Sequence, residues 1–485
     1  MSLEQIIKKE VDLWRQSRAR KLMLTSERYY RSDNEYILKR RRMVIGADGK
    51  HVEDPNLANH KLVHPFVRKL VDQKVGYLLG KPLSIQTDNE SYQKALQNVF
   101  NKIMLRLLKN VGKDAIKKGR GWLHPYYDEE GNLAFKMIPS EEVIPLWKDA
   151  AHTKLDAVIR HYEVEAYEGT TKKYIQKVEY WDKNGVQRFV LGSMEYTPNN
   201  SIGLIPDIEA GPKDSHIIVM EGEEEKAYNW ERVPFVCFKY NDDELPLLKF
   251  VQSLVDDYDL MTSDNSNNIS DLPNGIYILK NYDGQNLGEF RHNLAAYRAV
   301  KVTDEGGVDT MSVDINTEAL TKHVEQLRKD IYEFGRGVDT QSEKFGSSPS
   351  GIALKFLYAD LDMDANDIET EFQASLEQLR WFIDTHFINT GVGDFRGEQV
   401  EFIFNRDIVI NETDAINNLK NSVGMISDET IVSNHPMVQD PKKELERVKR
   451  EKSEKMEEYG GLPGPGDPKQ PKEPPAAPAD GDDDE

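Results

Sequence analysis

The residues with the most evident chemical potential are carboxylates in one short run. Asp360, Asp362 and Asp364, followed by Asn366 and by Glu371 at the twelfth position, match the ligand spacing of an EF-hand calcium loop. That loop turns on a glycine at its sixth position, where Ala365 stands, and Asp367 takes a place that is normally apolar. Read as a helix, Asp360, Asp364, Asp367 and Glu371 fall at four-three-four spacing, an acidic stripe along one face. The helical reading is preferred: no cofactor and no resident metal are expected, and Asp360, Asp362, Asp364 and Glu371 are the candidate ligands should a cation bind. The other chemical signatures fail on spacing. Gly76-Tyr77-Leu78-Leu79-Gly80-Lys81-Pro82 has three residues between its glycines where a phosphate loop has four, and Pro82 replaces the Mg²⁺-binding hydroxyl. Gly346-Ser347-Ser348-Pro349-Ser350-Gly351 is not a nucleophile elbow, because no strand leads into it. His60 and His64 are four apart, but Pro65 follows at once and no further ligand pattern joins them. With 84 acidic residues in 485, no carboxylate pair stands out for acid–base work. No catalytic residue is expected.

The elements that carry these residues are readable from periodicity. Hydrophobic residues make up 38% and charged residues 30%, a composition that suits a folded chain of several domains. No apolar run is long enough for a membrane span, and MSLEQIIKKEVDLWRQ reads as an amphipathic helix rather than a secretory signal. The single cysteine, Cys237, excludes a disulfide framework. A net charge of −21 argues against a surface that grips phosphate throughout. Residues 1 to about 45 read as helix with a basic run from Arg15 to Arg42, taken as a solvated face or subunit contact. Helical patterns run over about 59–79 and 89–118, the second stopped by Lys117-Lys118-Gly119. Strands at 121–127 and 132–138 flank a turn at Asp128-Glu129-Glu130-Gly131. Further strands fall at 155–165, 173–181 and 186–191, with a turn at Lys183-Asn184-Gly185. A loop over about 198–226 leads to a strand at Val233–Tyr240.

The pattern then changes. Residues 247–272 place Leu247, Val251, Leu254, Tyr258, Met261, Ile269 and Leu272 on one stripe, and residues 316–334 place Leu320, Val324, Leu327, Ile331 and Phe334 at strict four-three spacing. Narrow seams of this kind belong to helices that pack on like helices. Leu254, Tyr258, Met261, Leu320, Val324, Leu327 and Ile331 are therefore the expected seam between copies. The module between them, with strands near Ile276–Lys280 and Ala299–Thr303 and a turn at Gly306-Gly307, completes a stalk with a tip. A polar loop precedes a helix of some 40 residues to about Thr390, then a strand at Val400–Asn405, a helical region at 412–458, and a Pro-rich acidic end from Gly460 that is expected to be disordered.

The phrases along this layout resemble the portal proteins of tailed bacteriophages, in particular the large family of long-tailed phages of Gram-positive hosts. They begin with Asn59 through Leu79-Gly80-Lys81-Pro82, then Gly119-Arg120-Gly121-Trp122 and Ile138-Pro139-Ser140-Glu141-Glu142-Val143-Ile144-Pro145. Leu254-Val255-Asp256-Asp257-Tyr258-Asp259 follows, with Ser263 and Asn268-Ile269-Ser270-Asp271, and then Phe345 through Lys355. Phe402-Ile403-Phe404-Asn405-Arg406 and Gly424 through Thr430 close the series. Their order over about residues 10–450 is more specific than any phrase alone.

The resemblance implies an α+β portal fold: a wing (1–245, with the strand region 391–410), stem helices (246–272 and 316–338), a clip (273–315), a channel loop (339–350), a long wing helix (351–390), a crown (411–459) and a tail (460–485). It implies a dodecameric ring at one capsid vertex of the virion, assembled in the host cytoplasm, through which double-stranded DNA is packaged and ejected. Implied partners are the terminase large subunit, a head-completion or adaptor protein, and the scaffolding and major capsid proteins, with no membrane. It assigns Lys344, Phe345, Gly346, Ser347, Ser348 and Pro349 to the channel loop. Twelve copies would carry roughly −250 charges, a wall that repels phosphate. Two other readings fit the sequence, a metal-dependent phosphodiesterase built on the 360–371 carboxylates and a monomeric helical-stalk adaptor.

Overall fold

The computed structural model describes residues 2–45, 49–54, 57–193, 202–221, 224–271, 276–280, 305–311, 317–341, 351–406, 412–435, 437–438 and 441–459. Residues 1–347 with 355–408 form one compact unit, and 348–354 with 409–485 a second. Helices and antiparallel sheet mix as an α+β chain.

The first unit opens with α1 (Leu3–Gln16), α2 (Arg18–Tyr30) and the short α3 (Glu35–Leu38). Ser2 and Gln5 close a capping box on α1, and Ser17 caps α2. The expected helix to residue 45 stops at Leu38, because Met43–Ile45 (β1) pairs with His51–Glu53 (β2). The expected helix over 59–79 is also shorter: α4 runs Phe66–Leu79, and the residues before it are not helical. Pro65 explains the boundary, since it lacks an N–H and disfavours helical backbone in His64 before it. After β3 (Ser84–Gln86), the single helix read at 89–118 is two, α5 (Glu90–Val99) and α6 (Lys102–Lys118). Asn101 makes the break, its side chain accepting from the backbone of Ile103 and Met104 to start a new helix. α6 ends as its sequence predicts at Gly119, whose φ of 86° suits glycine. A β-carbon there would collide with the Glu244 carbonyl.

The hairpins also follow their turn residues. β4 (Arg120–Tyr127) and β5 (Leu133–Ile138) pair with β14 (Val236–Lys239) in the order β14-β4-β5. Between them in sequence lie β6 (Val143–Trp147), β7 (Leu155–Glu168), β8 (Thr171–Asp182), β9 (Gly185–Ser193) and β10 (Ile202–Pro206), which form a second antiparallel sheet in the order β10-β9-β8-β7-β6. β11 (Lys213–Asp214) adds to β9, and β12 (Ile217–Glu221) pairs with β13 (Glu224–Tyr228), so much of the stretch read as loop is strand. Ile7 and Val11 of α1 bury against Ile144, Ile159, Val178 and Phe189 of the larger sheet. The main core gathers α4, α6 and β14 around α7 (Leu248–Asp271), α8 (Thr317–Phe334) and α9 (Gly351–Asn389).

Between α7 and α8, β15 (Ile276–Lys280) pairs with β16 (Gly307–Met311). Gly307 thus opens a strand instead of closing a turn, and the strand read at Ala299–Thr303 lies outside the described residues. β17 (Glu401–Ile403) pairs with β3. The second unit holds α10 (Glu412–Asn421), α11 (Asp428–Ser433) and α12 (Pro441–Tyr459), and the end from Gly460 lies outside the described residues.

Candidate functional site

α7 and α8 pack on each other, tied by His323 Nε2 to Asp257 at 3.1 Å. Leu254, Tyr258, Met261, Leu320 and Val324 lie partly exposed along the pair. Leu327 and Ile331 do not: they are 6% and 0% exposed inside the single chain. Leu327 and Ile331 are therefore covered within their own chain and do not serve as a contact between copies, whereas Phe334, the last residue of the stripe, is 58% exposed. Nearby, Phe66 makes edge-on contacts with Tyr258 and Tyr332, ring centroids 4.8 and 6.0 Å apart.

The most buried face of α7 is one that hydrophobic periodicity overlooks. It continues from Val251 and Val255 into Asp259, Ser263 and Asn267, each four residues on and each buried. These three accept hydrogen bonds from the backbone N–H groups of His64 (2.9 Å), Leu62 (3.0 Å) and His60 (2.6 Å). The match is metric. Four helical residues advance about 6 Å, and two residues of extended chain about 6.6 Å. The signal in the sequence is polar, i, i+4, i+8, and a search for apolar seams passes over it.

The basic run beside this ladder is largely paired. Arg40 forks onto Asp264 at 2.7 and 3.0 Å, while Arg28 pairs with Glu35, Arg31 with Glu27, and Arg41 with Glu53. Asn34 donates to Asp256 and Asp259. Arg40 and Asn34 thereby bind the N-terminal segment to α7, while the other pairs lie within that segment.

The four candidate ligands all lie on α9. Helix residues two apart point about 160° away from each other, so Asp360, Asp362 and Asp364 do not converge. Asp360 is exposed, and Asp362 accepts from Tyr77 Oη (2.5 Å) and Arg406 (3.1 Å). Asp364 is buried, accepting from Lys74 Nζ (2.8 Å) and Tyr240 Oη (3.0 Å). Burial pulls Lys74 below the ordinary lysine range against the opposing pull of Asp364, and burial raises Glu371 and Tyr240. Among the described residues, no group of three His, Cys, Asp or Glu side chains is placed to hold a metal ion. A resident calcium at a hundred times its Kd would add about 2.7 kcal/mol of stability. We expect millimolar Ca²⁺ to leave the melting temperature of the chain unchanged in differential scanning fluorimetry; a rise of several degrees would restore the calcium reading.

The remaining signatures are structural where they are described. Gly76 lies inside α4 and Gly80 caps it. His64 Nδ1 bonds Asp259 at 2.7 Å, and His60 Nε2 bonds Ser270 at 2.8 Å. Cys237 is buried in β14, where burial pushes its thiol up to about 12. Lys344, Phe345, Gly346, Ser347, Ser348 and Pro349 lie outside the described residues.

The described residues therefore define an α+β body built around a helix pair, with polar groups engaged in holding elements together. The family model "Phage portal protein, SPP1 Gp6-like" matches residues 13–458. A portal protein of Bacillus phage SPP1 is 32% identical over 430 residues, covering 88% of this chain and 83% of its own. A portal protein of Clostridium phage phiCD119 is 30% identical over 437 residues, covering 87% and 90%. A chain of a solved structure titled "Neck of native GTA particle computed with C12 symmetry" aligns with a TM-score of 0.40 at 10% identity, covering 77% of this chain and 90% of its own. The chain belongs to the SPP1 Gp6-like family of phage portal proteins. Such proteins are structural head–tail connector components of the virion, at a capsid vertex, and not enzymes. No helix among the described residues is long and apolar enough to cross a membrane.

Proposed function

We propose that twelve copies of this chain form a ring at one capsid vertex and enclose the channel through which double-stranded DNA is packaged and ejected. The single observation that carries this reading is the unbroken family match over residues 13–458. In the ring, residues 1–245 with 351–410 act as the wing, 246–272 and 316–338 as the stem, and 273–315 as the clip. Residues 339–350 act as the channel loop and 411–459 as the crown. The terminase large subunit supplies the ATPase and docks on the ring, as does a head-completion or adaptor protein later. Scaffolding and major capsid proteins hold the outer surface, after assembly in the host cytoplasm. The partly exposed Leu254, Tyr258, Met261, Leu320 and Val324 suit a stem that packs on its neighbours in a head-to-tail ring.

The test is DNA packaging in a reconstituted prohead reaction. Phe345→Ala, or a loop lengthened by a few residues, should leave rings intact and slow or stop packaging. If packaging tolerates every loop change but fails with Asp362→Asn, the channel reading is wrong and the carboxylate reading takes its place.

A further inference from the structure

The end of α8 is held by contacts that the roles above do not use. After Phe334 the chain runs Gly335-Arg336-Gly337-Val338-Asp339, with Arg336 in the left-handed region at φ 47°. Leu70, Gln73 and Lys74, on one face of α4, receive it. A β-carbon on Gly335 would stand 2.7 Å from Leu70 Cδ1, and one on Gly337 would run into Leu70 Cδ2. The Gln73 amide accepts from the Val338 N–H at 2.9 Å and donates to the Val338 carbonyl at 3.0 Å, the two bonds that a neighbouring strand would make. Lys74 Nζ donates to the Arg336 carbonyl at 3.0 Å while paired with Asp364 of α9. Arg336 reaches back to Asp367 of α9 at 2.9 Å, and Arg328 of α8 forks onto Asp339 at 2.7 and 2.8 Å.

A helix exit through two glycines is ordinarily loose, because glycine restricts the backbone least. Here side chains of α4 take the place of that missing restraint, and they bond main-chain groups of residues 336 and 338 directly. We propose that Gln73 and Lys74 are positioning residues that moor residues 335–339 to α4 and α9. The chain that follows then starts from a fixed point, and load on it passes into those two helices instead of α8 alone. The functional half of this inference rests on residues 339–350 being the channel loop.

The test is hydrogen exchange by mass spectrometry on full-length rings, with prohead packaging measured beside it. Gln73→Leu removes both amide bonds. Lys74→Met/Asp364→Asn removes the buried charge pair while keeping an acceptor for Tyr240. Exchange over 335–341 should rise roughly tenfold or more, with β4, β5, β14 and the mass of the ring unchanged. Packaged DNA should fall roughly tenfold, an effect that a merely local packing role would not produce. Unchanged exchange over 335–341 in both variants overturns the mooring, as does exchange raised equally throughout the chain. Faster local exchange with full packaging overturns the positioning role when Phe345→Ala blocks packaging in the same reaction. If Phe345→Ala is silent too, the channel reading has failed, and exchange alone decides the mooring.

Discussion

Val324→Asp is expected to leave a folded monomer and no ring, whereas Leu327→Asp, three residues on, is expected to cost the fold itself. The two lie on the same apolar stripe of α8, but Val324 is partly exposed in the single chain and Leu327 is 6% exposed. At Val324 a carboxylate stays wet until a neighbouring copy covers it. Each interface then loses the burial of one side chain, about 1.5–3 kcal/mol, and must dehydrate a charge as well. The loss recurs at every contact around the ring. At Leu327 the carboxylate is forced into a packed site within its own chain, destabilising it by at least about 3 kcal/mol. Mass photometry should show particles of roughly 0.6–0.7 MDa, twelve copies of the 55.6 kDa chain, for the unsubstituted protein. Val324→Asp should abolish them while its circular dichroism stays native. Intact rings with Val324→Asp would remove α8 from the interface.

The largest loss of stability from a single side chain is expected at Lys74. Its side chain is 1% exposed, and its partners are the Asp364 carboxylate and the Arg336 carbonyl. Lys74→Ala strands a buried carboxylate that, among the described residues, keeps a hydrogen bond from the Tyr240 hydroxyl, with Arg336 3.8 Å away. Removing one partner of such a pair destabilises by about 3–5 kcal/mol, because the other charge stays out of water without compensation. Lys74→Met/Asp364→Asn should recover much of that loss, since a neutral amide needs no counter-ion. Urea unfolding of the two variants is the measurement. If the double variant is no more stable than Lys74→Ala, the charge pair does not dominate this site.

The two predictions differ in how they were reached. The stripe containing Val324 and Leu327 is visible in the sequence, because helical periodicity is a local property. The same holds for the hairpin turns at Asp128–Gly131 and Lys183–Gly185, for the stop at Gly119, and for the ordered phrases that mark the family. Neither side of the stripe was visible, nor was the break at Asn101, where a local side-chain bond overrides an amphipathic pattern that runs straight through it. Lys74 looked like any lysine on a helix, and Gln73 like any exposed polar residue. Asp364 looked like one member of an acidic row.

What separates these cases is the distance along the chain over which a residue finds its partner. A turn, a cap or a helix stop closes within about four residues, so its signal sits inside a short window of sequence. Lys74 and Asp364 are 290 residues apart, and His64 and Asp259 are 195 apart. The sequence by itself therefore determined the family, the hairpin turns and the helix stop at Gly119. The tertiary structure alone decided that residues 60–64 lie extended on the polar ladder of α7, that Leu327 and Ile331 face inward, and that Asp364 answers a buried lysine. Those outcomes depend on which helix docks beside which, and docking is fixed by burial summed over the whole core, a quantity that no local window contains.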